Sequence, residues 1–377
     1  MGSHPSTVQR VLAHLLEQDR PVTRPEIAAA LELSRPTVFT AIERLETLNL
    51  LEPVGPLNGR PGRSAMLYDV GRIVGLLGAI DIGGSNVRVA VADARGRLLR
   101  EDRRPTAAGG GEPIVKQVAE MLTSLLDAEA SALRGVAVSV PGVVGADDST
   151  VHFASNIDQF TPFDFRSPLV AELDAPVTLE NNVNLASIAE QWQGSGRDLR
   201  TFAVVAIGAG VGVGVVHDGR IMRGAHRAAG EVAFLPPHAG GRPDTATHDE
   251  AGGLSLLEKA GRRRDWDGRP PATVEELFER AAAGVEPAQK LVEEECQRVA
   301  ALVAAVCAVI DPETIIMTGG VGANEQLIKR VRDLTTEMTV FPPAVVRSDL
   351  GERASLLGAV RLASMVAKRE LVDSMAN

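Results

Sequence analysis

At 377 residues the chain has room for two or three domains. Apolar residues make up 45% and charged residues 23%, which excludes a disordered polymer. The net charge of −10 excludes a protein that coats nucleic acid through a generally basic surface. No apolar run reaches the ~18 residues of a membrane helix and no secretory signal opens the chain, so a cytoplasmic protein without a membrane partner is expected.

Residues 1–72 read as a winged helix-turn-helix. Val8, Val11, Leu12, Leu15 and Leu16 recur at helical spacing, and Pro21 closes that helix. Ile27, Ala28 and Leu31 mark a second, short helix, opened by Thr23 with Glu26 three residues on. Ser34 caps a third, with Pro36 in its first turn, where a missing N–H costs little. Its buried stripe is Val38, Ala41, Ile42, Leu45 and Leu48. Its outer face offers Arg35, Thr37, Thr40 and Arg44, short polar and basic groups that suit the major groove.

Two short strands near 50–54 and 65–69 then flank a tip, Asn58-Gly59-Arg60-Pro61-Gly62-Arg63. Arg60 and Arg63 on such a wing suit a narrow minor groove or phosphates. The segment is neutral: Arg10, Arg20, Arg24, Arg35, Arg44, Arg60, Arg63 and Arg72 balance Glu17, Asp19, Glu26, Glu32, Glu43, Glu46, Glu52 and Asp69. The partner read from this pattern is double-stranded operator DNA, gripped locally by a few placed arginines.

From Val74 strands and helices alternate. Stretches 76–81, 87–92 and 98–103 form an antiparallel meander around Gly83-Gly84. A helix over 114–126, a strand over 135–139, a strand over 177–179 and a helix over 183–193 follow. A hairpin over 202–207 and 212–217 encloses Gly208-Ala209-Gly210-Val211-Gly212. A helix over 300–309 and a strand over 314–317 lead to a third glycine turn at Gly319-Gly320. Cys296 and Cys307 lie eleven apart on one predicted helix, too distant to bridge, and read as small buried groups. The fold class is α/β, with the winged helix followed by two lobes, 73–180 and 181–354, and a last helix near 355–375 packing back on the first lobe. Glycines Gly83, Gly84, Gly208 and Gly210 at strand ends let backbone N–H groups approach a phosphate, or mark a relic of such a site. No Walker A or Rossmann fingerprint is present.

Taken together, several motifs resemble the ROK family of repressors, open reading frames and kinases. They are Asp81-Ile82-Gly83-Gly84-Ser85, Val140-Pro141-Gly142-Val143-Val144, Ala154-Ser155-Asn156-Ile157, Glu180-Asn181-Asn182-Val183-Asn184, the 208–214 glycine loop, the 224–231 segment ending in Gly230-Glu231, and Asp311-Pro312-Glu313 with Thr318-Gly319-Gly320. The resemblance implies an actin-like, ribonuclease-H-like two-lobed ATPase fold that binds sugar between its lobes. It implies sugar contacts at Asn156, Asn181, Asn182 and Glu231, and at Asp249 or Glu250.

Three departures shape the expected function. The family's kinases place their proton-accepting Asp where Asn182 stands, and an amide cannot hold that proton. Phe234 stands where the family has a His that serves zinc and sugar. The cysteine zinc cluster that should follow has no Cys here, only His238 and His248, so no metal and no cofactor is expected. The expected protein is a sugar-responsive transcriptional regulator, a repressor of carbohydrate-utilisation genes without kinase activity, assembled as a homodimer or dimer of dimers around a sugar or oligosaccharide effector. The alternative is an ATP-dependent, glucokinase-like sugar kinase with an accessory DNA-binding domain.

Overall fold

The computed structural model describes residues 5–18, 20–57, 65–70, 75–126, 133–153, 157, 162–235 and 252–375. Its N-terminal part contains α1 (Thr7–Glu17), β1 (Val22–Thr23), α2 (Arg24–Leu31), α3 (Arg35–Thr47), β2 (Leu51–Pro56) and β3 (Met66–Val70). The three strands pair in the order β1-β3-β2. Both early helices start on reciprocal capping boxes: Ser6 with Gln9, and Thr23 with Glu26. The Arg20 guanidinium and Thr23 hold the Glu26 carboxyl down to about 2. The Ser34 hydroxyl accepts from the Thr37 amide at the start of α3, and Val38, Ala41, Ile42 and Leu45 are buried below it. The sequence pattern does not reveal β1, which is two residues long and exists only by pairing with β3.

Two five-stranded sheets follow. The first contains β4 (Leu76–Ile82), β5 (Asn86–Ala92), β6 (Leu98–Pro105), β7 (Leu133–Val140) and β11 (Val177–Asn181), in the order β11-β7-β4-β5-β6. The second contains β12 (Phe202–Ile207), β13 (Val211–His217), β14 (Arg220–Ile221), β15 (Thr314–Thr318) and β16 (Ala344–Arg347), in the order β14-β13-β12-β15-β16. Each opens with an antiparallel meander and grows by parallel strands on the other side of its first strand. The two sheets thus repeat one topology.

Period-2 alternation sets the layers. Ile80 and Ile82 face α4 (Gly111–Ser124) and α5 (Arg166–Leu173), with Ile114, Val118 and Leu169 in the same core. Leu77 and Ala79 face the opposite side, with Leu185 and Ile188 of α6 (Asn182–Gln193) and Leu356, Ala359 and Val360 of α11 (Ala354–Ser374). Small residues on that side, Ala79, Ala90, Ala92 and Ala137, let the helices sit close. In the second sheet α7 (Gly253–Arg262), α8 (Val274–Ala282), α9 (Glu286–Ile310) and α10 (Glu325–Met338) share one apolar core. Val183 and Ala186 of α6 and Ala354 of α11 cover its other face.

Helices α6 and α11 are therefore shared by both sheets. They cross in close contact: a Cβ added at Gly358 would meet the Leu185 carbonyl oxygen at 1.9 Å. Ion pairs also join the halves. Arg223 Nε meets Glu180 Oε2 at 2.6 Å, and Arg227 pairs with Asp148. At its far end α11 supplies Leu371, Val372 and Met375 to the apolar core of the winged helix. Gln9 Nε2 donates to the Val372 carbonyl at 3.0 Å, and Arg95 pairs with Asp69 of β3.

Elements absent from the sequence-based expectation are the small sheet β8 (Val143–Val144), β9 (Thr150–His152) and β10 (Phe163–Asp164), helices α5, α7, α8 and α10, and strands β14 and β16. Helix α9 runs back to Glu286, much further than the 300–309 expected, and carries Cys296 buried and Cys307 half-buried. Among the described residues no helix is long and apolar enough to cross a membrane.

Candidate functional site

The outward face of α3 presents Arg35, Thr40 and Arg44 exposed. Thr40 and Arg44 are one helical turn apart and opposite the Val38, Ile42 and Leu45 stripe. Thr37 is half-buried and its hydroxyl meets that of Ser34 at 2.7 Å, so it serves the helix start. Arg60, Arg63 and the whole wing tip lie outside the described residues. Sequence reasoning missed Arg24. Its guanidinium sits over the Phe39 ring at 4.4 Å and the Tyr68 ring at 4.9 Å. That stack ties α3 to β3, the strand on which the wing is carried.

Between the two sheets lies a cavity of about 930 Å³. Gly83, Asn181, Asn182, Gly208, Gly210 and Glu231 line it. Gly84 is exposed in the same turn as Gly83 and lies outside that lining. Asn156 and Asp249 lie outside the described residues, as do Glu250, His238 and His248.

The two adjacent asparagines differ. Asn181 is the N-cap of α6: its Oδ1 accepts from the Val183 and Asn184 amides at 2.8 and 3.1 Å. Its Nδ2 donates to the Gly142 carbonyl at 3.0 Å. Most of this amide's capacity is spent on holding the helix to the Pro141-Gly142 turn. Asn182 makes one described side-chain bond, accepting from the Val183 amide at 2.9 Å, which Asn181 already serves. Among the described residues its Nδ2 has no hydrogen-bond partner, and the side chain lines the cavity.

Glu231 opens a short 3-10 turn, Val232–Phe234, without capping it by its side chain. Burial alone pushes its carboxyl above the usual range, and no described donor compensates. Its position depends on Gly230, whose φ is +85° and whose added Cβ would meet the Val213 carbonyl at 1.8 Å.

Asp81 also lines the cavity and is buried, and burial raises its carboxyl although Ser139 Oγ donates to it at 2.7 Å. Arg88 Nη1 lies 3.6 Å from Asp81 Oδ2, while Arg88 Nη2 meets Glu352 Oε2 at 2.5 Å. Asp81, Arg88 and Glu352 thus form one charged cluster in the cavity lining, which also includes Gly83. The pairing of Arg88 with Glu352 spans 264 residues and gives no sequence signal.

A thiolate zinc cluster does not fit these residues. No cysteine stands between Phe234 and Leu254, Phe234 has no donor atom, and both cysteines sit in α9. Among the described residues no group of three or more His, Cys, Asp or Glu side chains is placed to hold a metal ion.

The model of the ROK family matches residues 77–366, and that of the IclR helix-turn-helix domain matches residues 5–55. A beta-glucoside kinase of Listeria monocytogenes is 28% identical over 288 residues, 75% of this chain and 96% of that protein. A xylose repressor of Caldicellulosiruptor bescii is 21% identical over 394 residues, 96% of this chain and 97% of that protein. Among solved structures, a ROK family transcriptional regulator described as a homologue of the E. coli MLC protein superposes with a TM-score of 0.78 at 17% identity. It covers 97% of this chain and 98% of its own, which establishes the shared fold over both parts.

Proposed function

We propose that this chain, which belongs to the ROK family, is a sugar-responsive repressor of carbohydrate-utilisation genes that binds operator DNA and does not phosphorylate its effector. The observation that carries this reading is α11. Ala354 and Ser355 at its start line the cavity, and Leu371 and Val372 near its end pack in the winged-helix core. Ser355 Oγ also donates to the Asn182 carbonyl at 3.2 Å. A sugar that changes the fit of the two sheets around α6 and α11 acts directly on the body that holds the DNA-binding helices.

In this reading Asn182 and Glu231 meet sugar hydroxyls, with Asn156 and Asp249 as further contacts. Asn181 shapes the pocket by fixing α6. Arg35, Thr40 and Arg44 meet the major groove, and Arg60 and Arg63 meet backbone or minor groove. A homodimer, or a dimer of dimers, in the cytoplasm reads paired half-sites. The full-length similarity to a xylose repressor supports regulation. Asn182 supports the loss of phosphoryl transfer, since removing a general base typically costs ~10²–10⁴ in rate.

The test is a gel shift on the protein's own upstream DNA, with and without a sugar panel, beside a coupled assay for ADP release. Sugar-dependent change in DNA affinity without ADP release supports the proposal. A second reading, an ATP-dependent sugar kinase with an accessory DNA-binding domain, is favoured by the 28% identity to a beta-glucoside kinase. Sugar-dependent ADP production at several turnovers per second would establish it instead.

A further inference from the structure

Base pairs display hydrogen-bonding groups in the major groove and one apolar group, the C5 methyl of thymine. Helix α3 carries one large apolar side chain on its outer surface that suits this methyl. Phe39 is 44% exposed, whereas Val38, Ala41, Ile42 and Leu45 of the same helix are at most 2% exposed. The other exposed positions of α3, among them Arg35, Thr40, Glu43 and Arg44, are polar except for Pro36. Phe39 stands four residues after Arg35 and four before Glu43, in the row beside Thr40 and Arg44. It falls within the first two turns of the helix, the part of a recognition helix that reaches base edges.

The ring is held from one side. The Arg24 guanidinium lies over it at 4.4 Å and over the Tyr68 ring at 4.9 Å. Glu46 Oε2, two turns further along α3, is 4.0 Å from Arg24 Nη2. Arg24, at the start of α2, thereby fixes the ring on the side of α3 nearest β3. The remainder of the ring stays in water, and covering it on binding is favourable. A side chain ordered in advance also loses less entropy when it docks.

We infer that Phe39 reads a thymine in each operator half-site by packing its ring on the C5 methyl, so that the specificity of α3 combines this apolar contact with hydrogen bonds from Arg44. This deepens the operator-binding reading and rests on it. A·T and T·A pairs place that methyl differently in the groove, so the contact selects both the base pair and its orientation.

The test is a competition gel shift of the full chain on its own upstream DNA, with thymines replaced one at a time by deoxyuridine. That exchange removes the methyl and keeps every hydrogen-bonding group. At one thymine per half-site the unmutated protein should lose about fourfold in affinity, the worth of one buried methyl. Phe39→Ala should bind the thymine and uracil duplexes equally at that position. Its affinity for unrelated DNA should stay that of the unmutated protein, which reports that the variant folds. Phe39→Leu, which keeps an apolar side chain, should retain part of the penalty. Absence of any sensitive thymine in the unmutated protein would overturn the inference without recourse to a variant. A penalty that survives in full in both variants would also overturn it and assign the methyl to another group, such as Thr40. Upstream DNA bound no better than unrelated DNA would overturn the operator reading itself.

Discussion

The paired asparagines give a sharp test because neighbouring, identical residues are assigned different work. Asn181→Ala removes two cap bonds to α6 and the bond to the Gly142 carbonyl. Loss of an N-cap costs about 1 kcal/mol and a buried backbone-directed hydrogen bond about 1 more, so about 2 kcal/mol of stability should go. In a body of this size that lowers Tm by a few degrees. Asn182→Ala removes one bond to an amide that Asn181 already satisfies, and Ala is the better helix former at that place. Its stability should change by less than ~0.5 kcal/mol. Effector affinity should behave the opposite way: Asn182→Ala forfeits hydroxyl hydrogen bonds worth about 1 kcal/mol or more, a loss of about fivefold or more in Kd. Thermal and urea unfolding measure the first quantity and calorimetric sugar titration the second. If Asn182→Ala destabilises the fold as much as Asn181→Ala while sugar affinity stays unchanged, the division of labour is wrong.

Four further outcomes are expected. Arg44→Ala should lower the ratio of specific to non-specific DNA binding, with ~1–3 kcal/mol lost at one base position; equal weakening on all sequences in a competition assay would move Arg44 to the phosphates. Arg24→Ala removes contacts to Phe39 and Tyr68, each worth ~0.5–1 kcal/mol, and should weaken operator binding without touching DNA, with Arg24→Lys recovering only part. Burial raises the Glu231 carboxyl, so its anion is lost on acidification at a higher pH than an ordinary carboxylate; sugar affinity should therefore fall as pH drops through that raised value, and Glu231→Gln should flatten the profile. Elemental analysis of protein purified without chelator should find well under one zinc per chain, and stoichiometric zinc that resists dialysis would refute the reading of the 235–251 segment.

Local chemistry was legible in the sequence. The Thr23 and Glu26 capping box, the Ser34 start of α3 and the 202–217 hairpin stand where the residue types demand, because each is decided within a few positions. The amphipathic stripe of Leu327, Ile328, Val331 and Leu334 in α10 is equally visible in the sequence. Elements held only by distant partners were not legible. Strands β8, β9 and β10 are two or three residues long and exist because they pair with one another. The same holds for the site: Glu231 could be picked out by its Gly230-Glu231 context, whereas the approach of Phe153 to Phe234 and of Arg88 to Glu352 joins residues far apart in the chain. The chemical difference between Asn181 and Asn182 was equally hidden, since only the helix start decides which amide is consumed.

The seating of α11 in the winged helix bears on how the protein is made. The N-terminal helices leave the ribosome first, and N-terminal domains generally fold first. Here the apolar core that holds α1, α2 and α3 is finished by Leu371, Val372 and Met375. Its buried members, from Val11 to Tyr68, are all N-terminal, and the α11 residues add an outer layer that is translated much later. A nascent or prematurely ended chain lacks this outer layer and the Gln9 to Val372 bond. The winged helix thus reaches its final packing only after the α11 segment has joined it.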